Sequence, residues 1–415
     1  MNEAVNNSEQ FVYDICSKSF LSLWSYINPQ GKSPAKELCD VLVVCDPHVI
    51  VISVKDIQLK NTDTPDVDWK RWQRKAIEDS VKQIKGAIRW LDKSEYVIQK
   101  NGSKGLALPP INERIYHRIA VAFGAKREVP IIHPVEDDKV YHVMDERSFY
   151  LLLRHLDTIN DFVGYLIDKE VFLSKTSIVI NGGEENLLAI YLHNNRKFPL
   201  GNDRMIVEDD LWAGVSNRPE FKAKLQSDIE SYIWDQLIEV LCKDGFDGEN
   251  WLGPNISESE LAIRILVKED RFSRRMLSGA LKRFLELSKA GKVRSRCVTS
   301  INDVGYVFLA YGHDSTLEER KSELLARCYA SLCHFHNCFT VIGIGLNIPG
   351  QKPKEGYSTD LILLKAQNNQ WSDEDIRRAQ YCRDEFGFFK NPNKSHLHED
   401  EYPVIDNSDD ADKIV

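Results

Sequence analysis

The chain has 415 residues, 42% of them apolar and 28% charged, with a formal net charge of −9. That length holds two or three domains of about 100–200 residues, the composition is that of an ordinary globular protein, and the acidic balance excludes a surface that is basic throughout, while local basic faces remain open. No apolar run reaches the roughly 18–20 residues of a membrane span, and the opening Met1–Ser8 has neither the basic region nor the apolar core of a signal peptide.

Residues 8–27 carry Phe11, Ile15, Leu23, Trp24 and Ile27 near helical spacing, with Ser8 as N-cap and Asn28-Pro29 as the stop. The tract Gln30-Gly31-Lys32-Ser33 lacks the upstream glycine and the following helix of a phosphate loop. Two β-branched runs follow, Val41–Val44 and Val49–Val54, which read as buried strands joined by the turn Cys45-Asp46-Pro47-His48. Alternation along the second strand puts Ser53 and Lys55 on one face and Val54 and Asp56 on the other. Glu37 and Asp40 precede the first strand. Beyond the polar loop Asp63–Asp68, Trp69–Leu91 reads as a long helix with Ile77, Val81, Ile84, Ile88 and Leu91 as its buried stripe. The same segment holds seven basic residues against two acids. Each is explained singly by a solvated face, but as a set, with Arg74, Lys75, Lys82 and Arg89, they form a candidate phosphate-contacting surface.

Ile115–Phe123 reads as a third core strand, and Val129–Val143 as two short strands around Glu136-Asp137-Asp138. Glu146–Lys169 is helical with an interruption at Asp157–Asp161, where Asp, Thr and Asn compete for backbone hydrogen bonds, and Glu184–His193 is a further short helix. The polar, glycine-containing stretch Pro199–Pro219 marks a boundary. A helix over Phe221–Lys243 and a loop over Asp244–Asn255 come next. Ser257–Ala290 is expected as two helices broken at Glu269-Asp270, leading into strands over Val293–Thr299 and Val304–Tyr311. From Lys268 to Arg296 there are ten basic residues and three acids, a second candidate nucleic-acid face that includes Arg274 and Arg275. Two helices and a hairpin resemble a winged-helix unit, the plainer reading being a generic α+β segment.

The last part alternates between helix over Leu317–His334, strands over Phe339–Gly345 and Leu361–Lys365, and helix over Ser372–Asp384. Cys328, Cys333, His334, His336 and Cys338 lack the CxxC pair of common zinc sites, and buried free thiols explain them more simply. Nine cysteines, an odd number without framework spacing, point to reduced thiols and a cytoplasmic location. Gly343-Ile344-Gly345 is half of a dinucleotide fingerprint. His398–Asp412 holds seven acids and no Lys or Arg.

One set of residues carries a family resemblance. Asp40 opening a strand, the hairpin, and an apolar strand ending in Ser53-Val54-Lys55 resemble the PD-(D/E)xK nuclease superfamily over roughly residues 8–125. Asp40 matches its metal-binding aspartate and Lys55 its lysine, while Ser53 stands where the family usually has Glu or Asp. The resemblance implies an α/β domain, a mixed sheet flanked by helices, that hydrolyses phosphodiester bonds of DNA with Mg2+ or Mn2+. Asp40, Glu37 and the Val54 carbonyl oxygen are the implied metal ligands, with Glu9 an alternative second carboxylate. Lys55 would assist the attacking water, and Gln83 or Lys75 would be brought in by the following helix. The context implied is a bacterial restriction or anti-phage effector. The alternative is a catalytically inactive nuclease-like fold that binds nucleic acid or a protein, which Ser53 keeps open. The expected organisation is the nuclease-like domain with a helical extension over 1–200 and a helical linker over 201–256. An α+β domain over 257–390 and an acidic, disordered tail over 391–415 complete it. The expected partners are nucleic acid, DNA foremost, and a protein partner or a second copy of the chain, with no membrane.

Overall fold

Runs of β-branched residues without polar interruption favour strands covered on both faces. The computed structural model describes residues 7–31, 36–60, 62–125, 132–201, 203–245, 258–312, 314–335, 337–348, 359–390 and 399–403. In it the chain divides into two compact units, Met1–Arg218 and Pro219–Val415. No helix among the described residues is long and apolar enough to cross a membrane.

The first unit begins with α1 (Asn7–Phe20), β1 (Ser25–Ile27), β2 (Val41–Cys45) and β3 (His48–Asp56). Next come α2 (Pro65–Gln73), a π-helical segment over Arg74–Glu78, and α3 (Asp79–Leu91). A hairpin of β4 (Tyr96–Ile98) and β5 (Lys104–Ala107) leads to β6 (Ile115–Phe123). Then follow β7 (Val135–Glu136), β8 (Lys139–Val140), β9 (His142–Met144), α4 (Glu146–His155) and α5 (Ile159–Leu173). The unit closes with β10 (Ser177–Ile180), α6 (Glu184–His193), β11 (Arg204–Val207) and α7 (Leu211–Ser216), the two strands pairing in parallel.

Its main sheet has the order β1-β2-β3-β6-β9, antiparallel through β3 and parallel from β3 onward. It is thus a mixed sheet flanked by helices. The stripe Ile77, Val81, Ile84 and Leu91 of the π segment and α3 packs over Val49 and Val51 of β3 and Ala120 and Ala122 of β6. On the opposite face α1 is tied to the end of β3, where Ser8 Oγ donates to Asp56 Oδ2 at 2.6 Å.

Three departures have local causes. The helix expected to Ile27 stops at Phe20, because Leu21 takes a left-handed φ of 68° and Ser25–Ile27 pairs with Val41–Val43. The apolar residue Ile27, which fits helical spacing, is buried in a sheet instead. The helix expected from Trp69 starts at Pro65, a residue favoured in a first turn. The expected interruption of the later helix is real: Thr158 caps α5, its side chain accepting from the Asp161 N–H. Of the strands expected over 129–143, residues 129–131 lie outside the described residues. Asp137 and Asp138 both have positive φ, the requirement of a tight type I′ hairpin turn between β7 and β8.

The second unit runs α8 (Pro219–Asp228), α9 (Tyr232–Gly245), α10 (Ser259–Val267), α11 (Arg271–Lys289), β12 (Ser295–Thr299) and β13 (Val304–Tyr311). It ends with α12 (Leu317–Ser331), β14 (Thr340–Asn347), β15 (Thr359–Lys365) and α13 (Asp373–Asp384). The stretch 201–256 is therefore divided, β11 and α7 going to the first unit and α8 and α9 to the second. The hairpin β12–β13 is built into a four-stranded sheet of order β12-β13-β14-β15, with β13 parallel to β14, so it is not a free wing. Gly343 and Gly345 lie within β14. A Cβ at Gly345 would sit 2.2 Å from the Tyr311 hydroxyl, and one at Gly343 would sit 2.5 Å from Cys328 Sγ. Close packing against the neighbours requires these glycines, not a cofactor. Cys328 and Cys338 join the same apolar core, and His336 is outside the described residues.

The second basic face is corrected. Arg274 and Arg275, expected to meet phosphates, are only 2% and 3% exposed. Arg274 donates to Asp235 Oδ1 at 2.6 Å and to the Glu269 carbonyl at 2.9 Å, and Arg271 shares Asp235 at 2.8 Å. Arg275 donates to Asp228 Oδ1 at 3.0 Å and to the Asp400 carbonyl at 2.7 Å. Acids of α8 and α9 thus neutralise the first turns of α11. Leaving a buried charge without its partner typically costs about 3–5 kcal/mol. Asp235→Ala is expected to lower the unfolding free energy by about that much in urea titrations, whereas truncating the exposed Lys82 should change it by less than about 0.5 kcal/mol.

Candidate active site

The register of the hairpin decides which polar groups meet. Val41 pairs with Ile52, so Asp40, one residue earlier, falls opposite Ser53 on the face where Ser53 and Lys55 point. Asp40 Oδ2 accepts the backbone N–H of Val54, which satisfies a carboxylate whose side chain is only 5% exposed. Lys55 Nζ lies 3.8 Å from the same oxygen.

α3 closes the site from above. Gln83 donates through Nε2 to Asp40 Oδ1 at 3.2 Å. Its Oε1 accepts from Lys55 Nζ and from Ser53 Oγ, each at 2.8 Å. The two acceptor contacts fix the orientation of the amide, so its N–H can only face Asp40. Asp40, Ser53, Lys55 and Gln83 therefore form one closed polar ring across two strands and a helix.

Two more carboxylates stand beside it. Glu37 has a buried Oε1 without a hydrogen-bond partner. Its carboxyl is pushed up to about 8, first by burial and then by Asp40 and Glu9, with Lys55 opposing. Glu9, near the start of α1, is 6% exposed and its Oε2 accepts from Asn28 Nδ2 at 3.3 Å. Asn28 has φ 45°, and its N–H donates to the Asp40 carbonyl at 2.9 Å, which ties the two segments together. Three acids thus surround one lysine. A proton held on Glu37 relieves that imbalance, and a divalent cation bound by hard oxygens would relieve it as well. Carboxylate oxygens are the ligand type such an ion takes, although among the described residues no three His, Cys, Asp or Glu side chains are grouped as a metal site.

Comparison with protein-family models, with curated proteins and with solved structures returns no match.

The site residues expected from the sequence fare differently from one another. Asp40, Ser53, Lys55, Glu37 and Gln83 are brought together. Val54 meets Asp40 through its amide, where its carbonyl was the expected ligand. Lys75 is exposed and makes no contact with the ring, so of the two residues considered for the helix it is Gln83 that reaches in. Arg74, Lys82 and Arg89 are exposed on the π segment and α3, and Lys82 is paired with Asp79 at 3.0 Å. Asn28 was read from the sequence only as a helix stop, not as part of the site. Its only signal there is its type, since Asn tolerates a left-handed backbone better than most residues.

Glu37 gives a pH test. The folded carboxyl holds its proton up to about 8, whereas the unfolded one releases it near 4.5. Its contribution to stability is therefore present below about 4.5 and is lost as pH rises through 8. In EDTA, Glu37→Gln should match the wild-type Tm at pH 5 and exceed it at pH 9; parallel Tm profiles would show that Glu37 is not held protonated.

Proposed function

We propose that the first unit is a divalent-metal-dependent nuclease that hydrolyses phosphodiester bonds, DNA being its first candidate substrate. The observation that carries this reading is the convergence of Asp40, Lys55 and Gln83 at one rim of the mixed sheet, with Glu37 and Glu9 alongside. Asp40, Glu37 and Glu9 are the groups that would hold Mg2+ or Mn2+. The ion, when bound, supplies Lewis-acid polarisation of the phosphoryl oxygen and a more acidic water. Metal binding would require Glu37 to give up its proton, so occupancy and pH are coupled.

Lys55 is the cation aimed at the charge that develops on the phosphate. Its side chain is 29% exposed, enough to reach solvent, while Gln83 fixes its ammonium. Pre-oriented charge of this kind acts without reorganisation during the reaction. Ser53 is neutral and fully buried, so it serves as a positioning residue: its hydroxyl pins Gln83, and Gln83 orients Asp40 and Lys55. The acid usual at that place in the superfamily is replaced by Glu37, on the segment leading into β2. Arg74, Lys75, Lys82 and Arg89 would contact the backbone phosphates, a term that weakens steeply with salt.

The test is cleavage of plasmid DNA, single-stranded DNA and RNA with Mg2+ or Mn2+ and in EDTA. Lys55→Ala should reduce the rate about 10²–10³-fold with little change in nucleic-acid affinity. Asp40→Asn should abolish metal-dependent cleavage, and Glu37→Gln should follow it. Ser53→Glu, which rebuilds the usual motif, should retain activity or shift the metal preference. Wild-type protein that cleaves none of these substrates with either metal would leave the same fold as a binding scaffold.

A further inference from the structure

The second unit carries an open surface depression of about 640 Å3, within the roughly 300–1,000 Å3 range of small-molecule sites. Three separate stretches line it: Arg294 just before β12, the approach to α12 with its first turns, and the turn that follows α13. Phe386 and Phe388 form an aromatic wall, their ring centroids 5.6 Å apart. Tyr381 extends the row, 5.5 Å from Phe386. Phe386 is 53% exposed and Tyr381 58%, so both rings stand open among the described residues.

The wall is held in place. The Arg327 guanidinium stacks 4.0 Å from the centroid of Phe388, and is itself fixed by Glu323 at 2.7 Å and Ser295 Oγ at 2.6 Å. Gly387 and Phe389 both have left-handed φ, at 70° and 53°. For a residue as bulky as Phe389 that conformation must be imposed by its surroundings, and His334 Nε2 donates to its carbonyl at 2.8 Å.

The polar lining is mixed in sign. Arg294, whose side chain is 57% exposed, pairs with Glu323 and presents its remaining donors, while Glu319, whose Oε2 accepts from Thr316 in the capping box, presents its other carboxylate oxygen. Glu323 is shared between Arg294 and Arg327. A lining this nearly balanced does not suit a polyphosphate. An exposed ring that offers a face for stacking, with a guanidinium and carboxylates around it, suits a planar heterocycle that has acceptors on one part of its edge and N–H donors on another. Guanine matches that pattern, with O6 and N7 for the guanidinium and N1–H and N2–H for a carboxylate.

We propose that this depression is a nucleobase site that prefers guanine, supplied either as a free nucleotide or as an unpaired base of a single strand. The proposal does not depend on cleavage by the first unit, and its test contains no metal. Full-length protein is titrated calorimetrically in EDTA with GMP, AMP, CMP and UMP, and with the pentanucleotides d(TTGTT) and d(TTTTT). The guanine ligands should bind best. Phe386→Ala should weaken them about 10-fold or more with an unchanged Tm, because the ring is half exposed. Arg294→Gln should narrow the difference between GMP and AMP. Binding of GMP as tight as d(TTGTT) would identify a free nucleotide as the ligand, and binding of the pentanucleotide alone would identify a strand. Absence of binding by all six ligands at millimolar concentration, equal affinity for the four bases, or wild-type affinity in both variants would overturn the proposal.

Discussion

A carboxylate buried on a sheet face must be paired or neutralised, and Asp40 is paired by the backbone of the neighbouring strand. Its bond from the Val54 N–H depends on the hairpin register, because a slip of one residue would turn Ser53 and Lys55 to the other face. The register in turn is held by the apolar side chains of β2 and β3, which are buried on both faces of the sheet. Packing of valines and isoleucines therefore sets the distance between Asp40 and Lys55. The helix Asp79–Leu91 adds Gln83 only because its own apolar stripe seats it on that sheet.

The second constraint is electrostatic. Glu9 comes from the first helix and Glu37 and Asp40 from the entry to the hairpin, and they share a single lysine. Such an arrangement is costly without a compensating charge, and a chain selected for stability alone would hardly retain it. Glu37 answers the cost by keeping its proton to about 8. On the proposed reading, the same carboxyl would give up that proton when a cation takes over its compensation.

The parts legible in the sequence were those where one local signal dominates. Continuous β-branched runs announced the strands of the hairpin and the strand Ile115–Phe123, and a four-three spacing announced the stripe over Ile77–Leu91. Ser372 read correctly as a helix start, and the break expected at Glu269-Asp270 is where Asp270 caps the next helix, because capping chemistry is local. The end of the first helix was not legible, since Ile27 satisfies helical spacing and is claimed by a strand that begins fourteen residues later. The burial of Arg274 and Arg275 was equally hidden. A run of basic residues reads as a solvated face until the acids that meet it are known, and Asp228 and Asp235 lie 47 and 39 positions away in the chain. The place of Asn28 in the site was hidden for the same reason, as it comes from the helix residue Glu9 that it holds.

The two basic segments illustrate how little a count of charges decides. Both carry a large excess of Lys and Arg, yet their residues face opposite environments. On the helix Asp79–Leu91 the apolar stripe occupies one side, which forces Lys82 and Arg89 outward, where long charged chains keep their hydration at little cost. On the helix Arg271–Lys289 the first-turn arginines lie beneath two other helices, and their hydration is replaced by carboxylates and carbonyls. Guanidinium suits that replacement better than ammonium, because its planar fork directs several donors at fixed angles and is weakly hydrated to begin with. Position decides as well: Arg271, Arg274 and Arg275 are buried there, while Lys282 and Arg283, further along the same helix, are both exposed. Which charges a second element covers, more than how many there are, separates an exposed basic segment from one consumed in holding the fold.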